Sequence, residues 1–247
     1  DNTAAPVICK PIEHGAAVVV HSLTKFIGGH GTVIGGCLVD GGNFDWTANP
    51  KRQPLFNEED PSYKGAVWGR DVPKLTGANV AFAIRARVVL LRDLGAPLSP
   101  FNAFQIIQGL ETVAIRMKQH CSNAEKVVKY LETEKKVKNV IYPTNHQGEI
   151  KERAKRYMKG GYGSLVGMDV GTREAGSKFI DNLKMLYHVA NIGDAKSLAI
   201  HPATTTHSQL SDEELLAAGV TPGYVRLSIG IEHPDDIIGD IKQALAA

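Results

Sequence analysis

Several features are missing from this sequence, and each absence closes off a class of protein. No apolar run approaches the roughly 18 residues of a membrane-spanning helix. The opening Asp1-Asn2-Thr3 is not the basic-then-apolar start of a secretory leader. There are only three cysteines, Cys9, Cys37 and Cys121, far apart and with no C-x-x-C pair. A disulfide framework and a cysteine zinc site are therefore disfavoured, and a reducing, cytoplasmic setting is expected. Excess charge of one sign is also lacking: 28 Lys and Arg stand against 26 Asp and Glu, a net charge of +2. A nucleic-acid binder would show a basic stripe. Neither GxGxxG nor GxxxxGK[ST] occurs, which disfavours the common nucleotide-binding loops. An initiator Met is missing too, and the first residues read as the middle of a fold. The expectation is a C-terminal portion of a longer protein.

What is present suits a globular chain. Its 247 residues are 43% hydrophobic and 22% charged, enough for one large domain or two modest ones. Residues 16–20 (AAVVV) form a short apolar run without alternation, which reads as a strand buried on both faces, as in a parallel sheet. Residues 32–42 read as a second strand ending in a glycine turn. Residues 43–76, rich in Asn, Pro and charge, read as a long loop in which Trp46, Tyr63 and Trp68 supply packing. Residues 79–94 are helical by pattern, with Val80, Ile84, Val88 and Leu91 on one face. Ser99-Pro100 opens a long helix or two in tandem. Its stripe of Phe101, Phe104, Ile107, Leu110, Ala114, Met117, Cys121, Ala124, Val128 and Leu131 is expected to be core. Strand-like runs follow at 139–142, 164–170, 187–191 and 225–231, and helical patterns at 173–184, 211–217 and 234–246. That order predicts a smaller α/β unit with a mostly antiparallel sheet.

The stretch VVVHSLTKFIGGHG, residues 18–31, carries the chemistry. Lys25 can be read as a surface charge, a phosphate hook or a nucleophile. The glycines follow the lysine, whereas a P-loop places them before it. Ser22 and Thr24 share one side of an extended segment, so both hydroxyls could meet one anion. Gly28, Gly29 and Gly31 would let the backbone approach a ligand. A Schiff-base lysine needs a lowered pKa. Pyridoxal phosphate offers an aldehyde to the lysine and a phosphate to the hydroxyls, and its ring nitrogen needs a carboxylate. Asp1 is a candidate for that last role if neighbouring strands end side by side. His201 and His207 frame HPATTTH, and no carboxylate or cysteine completes a metal site there, so loop and capping contacts are expected.

These motifs resemble the Cys/Met-metabolism branch of fold-type-I pyridoxal-phosphate enzymes, and the resemblance covers essentially the whole chain. DGGNFDW, DPSYKGAVWG, NIGDAKSLAIHPATTTHSQL and TPGYVRLSIGIEHPDDI are similar to the O-acetylhomoserine sulfhydrylase subgroup, with residues 43–76 matching its insertion. The resemblance implies a remnant of the large, mostly parallel cofactor domain over 1–118 and a small C-terminal domain over 119–247. It implies that Lys25 forms the Schiff base and shuttles a proton, that Ser22 and Thr24 contact the phosphate, and that Asp1 pairs with the pyridine nitrogen. Arg226 would bind the substrate α-carboxylate through a bidentate fork, helped by Asn191 and Thr206, with Ser197 a lesser candidate. The implied reaction is γ-replacement, O-acetyl-L-homoserine plus sulfide giving L-homocysteine plus acetate, in a homotetramer built as a dimer of dimers. Cystathionine γ-synthase or γ-lyase activity is the alternative within the family. An inactive fragment or half-subunit, needing an upstream segment, is the alternative of another class.

Overall fold

The computed structural model describes residues 1–247. The apolar run near residue 18 becomes strand β1 (Val18–Ser22), which pairs with β2 (Gly36–Asp40). The pairing is antiparallel, with Val18 opposite Asp40 and Ser22 opposite Gly36, in a two-stranded sheet. Where a parallel neighbour was expected, the one partner this chain supplies is antiparallel; only Val19 of β1 is buried within it, and Val20, Leu38 and Val39 are exposed. The run lacks alternation, so the sequence alone cannot tell which neighbour it pairs with or in which direction.

Residues 43–76 are not a bare loop. Pro54 opens α1 (Pro54–Asn57) and a short turn precedes α2 (Trp68–Thr76). Asp60 organises this stretch by accepting the Ser62 N–H and the Trp68 indole N–H, each at 3.0 Å. Trp46 stacks on Phe56 and Phe82, and Phe56, Trp68, Val72 and Ala81 form a small core of their own. The packing role read for the aromatics holds. A continuous helical stretch follows, as α3 (Ala81–Arg85), a widened turn (Ala86–Leu91) and α4 (Arg92–Leu94). Val80, Ile84 and Val88 face the aromatic core as expected. The widened turn then changes the phase, so Val89 packs inward and Leu91 is exposed.

Ser99-Pro100 starts a single helix, α5 (Pro100–Leu131). Its buried seam is Ile106, Gly109, Val113, Met117, Cys121, Ala124, Val128 and Leu131. From Met117 onward this is the stripe read from the sequence. Before it the seam lies one residue out of phase, so Phe101, Phe104, Ile107 and Leu110 are 66%, 56%, 55% and 50% exposed rather than core.

Beyond α5 come β3 (Asn139–Ile141), α6 (Gly148–Tyr157), β4 (Leu165–Asp169), α7 (Arg173–Asp181), β5 (Tyr187–His188), β6 (Leu198–Ile200), α8 (Asp212–Ala217), β7 (Tyr224–Ser228) and α9 (Pro234–Ala246). The five strands order as β3-β4-β7-β6-β5, antiparallel except for β5 with β6. This matches the mostly antiparallel sheet expected. Val225 and Leu227 of β7 are fully buried, and they pack with the second half of α5 and with Phe179, Ile237 and Ile241 in the main core. Tyr224 and Arg226 occupy the alternate positions of the strand and are only part-buried. No helix is long and apolar enough to cross a membrane.

Candidate active site

Lys25 lies just past the carboxyl end of β1, in a single widened helical turn, Leu23–Ile27. The Gly28 N–H reaches back to the Leu23 carbonyl at 2.9 Å and the Gly29 N–H to the Lys25 carbonyl at 2.7 Å. Lys25 itself departs from helical geometry, at φ −91° and ψ −132°. Its Nζ donates to Asn191 Oδ1. The carbonyl of the same asparagine accepts from Arg226 Nη2 at 3.4 Å. Burial, and then the positive charge of Arg226, push the Lys25 amine below the ordinary lysine value. Both effects disfavour the ammonium form. Three residues that lie far apart in sequence therefore meet at one point: a lysine with a weakened hold on its proton, a guanidinium, and an asparagine joining them.

The other candidates are placed as follows. Asn2 donates its N–H to the Val20 carbonyl at 2.9 Å, and Thr3 Oγ1 accepts the Ser22 N–H at 2.8 Å. These bonds hold the first residues against the end of β1. Asp1 is exposed there, its Oδ1 accepting the Thr3 N–H at 2.7 Å. The extended geometry ends at Ser22, so Thr24 already belongs to the turn and the two hydroxyls do not share one strand face. Thr24 Oγ1 is engaged with Gly35, donating to its carbonyl at 3.3 Å and accepting its N–H at 3.0 Å. The Ser22 hydroxyl makes no such bond. Thr206 is exposed, and its hydroxyl meets His207 Nδ1 at 2.8 Å rather than Asn191 or Arg226. Ser197 is fully buried, donating to Glu232 and accepting the Gly230 N–H, which pins the segment after β7. His201 has both ring nitrogens occupied, by Thr204 Oγ1 and the Pro222 carbonyl, as a loop contact would. The glycines of GGHG serve the protein rather than a ligand-facing loop: a Cβ on Gly29, at φ +77°, would sit 2.2 Å from Arg116 Nη1.

Reading the sequence missed the support beneath the lysine. Arg116, buried on α5, donates to the carbonyls of Phe26 (2.6 Å), Ile27 (3.0 Å) and Gly109 (2.6 Å). One turn on, His120 is fully buried, edge-on to Phe26, and donates from Nδ1 to the Ile229 carbonyl at 2.7 Å. Asn123 then donates to Gly230 and Glu232 carbonyls. The available signal was three polar residues, at 116, 120 and 123, on the face that also carries Gly109 and Val113. Polar groups in a buried seam need partners.

As a receptacle for pyridoxal phosphate, the residues fit in three respects. They offer an amine depressed toward its neutral form, an uncommitted Ser22 hydroxyl beside the same turn, and a guanidinium whose one side-chain hydrogen bond is a long one.

Comparison with known proteins points the same way. A family model described as "Cys/Met metabolism PLP-dependent enzyme" matches residues 1–246. The chain is 51% identical to an O-acetyl-L-homoserine sulfhydrylase of Leptospira meyeri, over 99% of this chain and 56% of that protein. It is 47% identical to a homocysteine synthase of Schizosaccharomyces pombe, over 99% of this chain and 57% of that one. A crystal structure of a putative O-acetylhomoserine (thiol)-lyase from Campylobacter jejuni, carrying N'-pyridoxyl-lysine-5'-monophosphate, superposes with a TM-score of 0.88 at 40% identity. That match covers 100% of this chain and 58% of the other. The chain thus spans about half the length of the curated relatives it matches.

Proposed function

This chain belongs to the Cys/Met metabolism family of PLP-dependent enzymes, and on that footing we propose that it carries the lysine half of a γ-replacement site. The reaction converts O-acetyl-L-homoserine and sulfide to L-homocysteine and acetate: the γ-carbon loses its bond to the acetate oxygen and gains one to sulfur. Pyridoxal phosphate, when bound, supplies an electron sink for the substrate's α-carbon. Lys25 Nζ is the group that holds the cofactor and then takes and returns the α-proton, since an amine with a weakened hold on its proton is suited to both tasks. Ser22 donates to the phosphate, with Thr24 joining it if its bond to the Gly35 carbonyl is given up. Asp1 pairs with the ring nitrogen. Arg226 takes the substrate α-carboxylate, with Asn191 setting its distance from the lysine; Thr206 is a lesser partner. The observation that carries this reading is the junction of Lys25, Asn191 and Arg226.

The relatives' length and the exposed apolar faces of β1, β2 and the first half of α5 support a second element of the proposal. Residues 1–118 belong to a large cofactor domain completed by an upstream segment, and 119–247 form the small domain. The complete protein is a cytoplasmic homotetramer, a dimer of dimers. By this reading the chain alone is inactive, and turnover appears when the upstream segment is supplied.

The test uses the full-length protein. With cofactor added, borohydride reduction should fix pyridoxyl on the Lys25 peptide, and Lys25→Ala should lose both the label and turnover. Turnover retained in Lys25→Ala would refute the assignment. Sulfide should outpace cysteine as nucleophile, and faster turnover of cysteine would move the protein to the cystathionine γ-synthase reading.

A further inference from the structure

Arg116 is a cation in the interior whose hydrogen-bond partners are all uncharged. Its Nη1 and Nη2 reach the Phe26, Ile27 and Gly109 carbonyls, and Nε reaches Thr112 Oγ1 at 3.1 Å. It is 5% exposed. A buried charge is costly unless fully hydrogen-bonded, and an apolar side chain would fill a helix–loop contact without that cost. The choice of partners suggests what the guanidinium does there. Phe26 and Ile27 directly follow Lys25, and the chain leaves the turn at Gly28 and Gly29, so their carbonyls have no next turn to bond to. Orphan carbonyls at a helix end need outside donors, and a planar fork of donors suits several at once. The neighbouring backbone is shaped around this contact: Gly109 leaves no room for a Cβ, which would lie 2.2 Å from the Gly28 carbonyl oxygen, and Gly29 faces the guanidinium. Gly109 thus lets α5 come close enough for the fork to reach the turn, and Gly29 leaves the guanidinium its place.

We propose that Arg116 is the positioning residue of the lysine: by capping the Phe26 and Ile27 carbonyls it fixes the turn in the form that aims Lys25 Nζ at Asn191 and Arg226. This rests on the reading of Lys25 given above. The lowered Lys25 pKa accords with it, because a relaxed turn would return the amine to solvent.

The experiment compares wild type, Arg116→Met and Arg116→Lys in the full-length protein, with circular dichroism and the thermal midpoint recording the fold separately. In the cofactor-free protein, acetic anhydride labelling of Lys25 across pH reports the amine's titration. With pyridoxal phosphate added, borohydride trapping reports how fast Lys25 is engaged. We expect folded Arg116→Met to trap at least tenfold more slowly, to label with a midpoint moved toward that of an ordinary lysine, and to regain trapping when millimolar guanidinium is added. Arg116→Lys should fall between, since a compact ammonium cannot reproduce the fork. Wild-type trapping rate and labelling midpoint in a folded Arg116→Met would overturn the proposal. Should that variant fail to fold, the same wild-type values in Arg116→Lys would overturn it. If wild type itself does not trap cofactor at Lys25, the failure lies with the reading of Lys25, and the labelling midpoints still decide the role of Arg116.

Discussion

Acid should weaken this fold through one identifiable residue, His120. It is fully buried, edge-on to Phe26 with ring centroids 5.3 Å apart. Its Nδ1 proton is used on the Ile229 carbonyl, and Nε2 has no partner. Burial foremost, opposed by the Ile229 bond and reinforced by the charge of Arg116, brings its pKa from 6.5 down to about 4. The folded state therefore holds the neutral ring, while the unfolded chain binds a proton as pH falls through 6.5. Stability is lost between about pH 6.5 and pH 4, and nothing more is lost below that from this group. At about 1.4 kcal/mol per unit, going from pH 7.5 to 4.5 removes roughly 2.5 kcal/mol, a large share of a typical folding free energy. Urea unfolding followed by far-ultraviolet circular dichroism, at both pH values, measures it. His120→Gln cannot titrate yet retains an N–H for Ile229. Its loss on acidification should be smaller than that of wild type by about that 2.5 kcal/mol, whatever the other groups contribute. Equal losses in the two proteins would show that His120 is accessible to protons in the native state, and the reasoning would fail.

Three further outcomes are expected. Asp240 is a buried carboxylate whose burial pushes its pKa up, yet the N–H groups of Leu186, Lys184 and Met185, with the Gln243 amide, together outweigh that and leave it lowered. Asp240→Asn should cost about 2 kcal/mol at neutral pH, and the difference should fade as pH drops through the native carboxyl pKa, below which wild type has lost the same charge; urea midpoints at pH 7 and 2.5 read it. Gly109→Ala should lower stability by about 1–3 kcal/mol, because the new Cβ meets the fixed backbone carbonyls of Gly28 and Ile27 rather than a side chain that can move; differential scanning calorimetry measures this. On the proposed assignment of Arg226 to the substrate carboxylate, Arg226→Lys in the full-length protein should raise KM for the amino acid on the order of tenfold or more, with a smaller effect on kcat, because a point charge would replace a fork.

The sequence made visible those elements whose patterns are local. Val225 and Leu227 alternate with Tyr224 and Arg226, so β7 and its inward face could be read directly. Ser99-Pro100 marked the start of α5. β6, Leu198–Ile200, was missed because three consecutive buried residues show no alternation. α6, Gly148–Tyr157, was missed because only Ile150, Ala154 and Tyr157 break its run of charge, and none of them is buried. The phase of α5 before Met117 went wrong because exposed Phe101, Phe104, Ile107 and Leu110 make as regular a stripe as the true seam. Lys25, Asn191 and Arg226 were named from motifs, but nothing local could show that Thr206 turns to His207 or that Thr24 is engaged with Gly35. Arg116 escaped notice because its partners lie 89 and 90 residues away, and only the fold brings them within reach.

Asn191 offers one oxygen from its side chain to Lys25 and one from its backbone to Arg226. The two oxygens hang from a single stereocentre, so the amine and the guanidinium are held to one another by covalent geometry and by one rotatable side chain. The pair works as a calliper whose hinge is one residue. Any shift of that one residue, in backbone or in side chain, would therefore move the settings of both cations together.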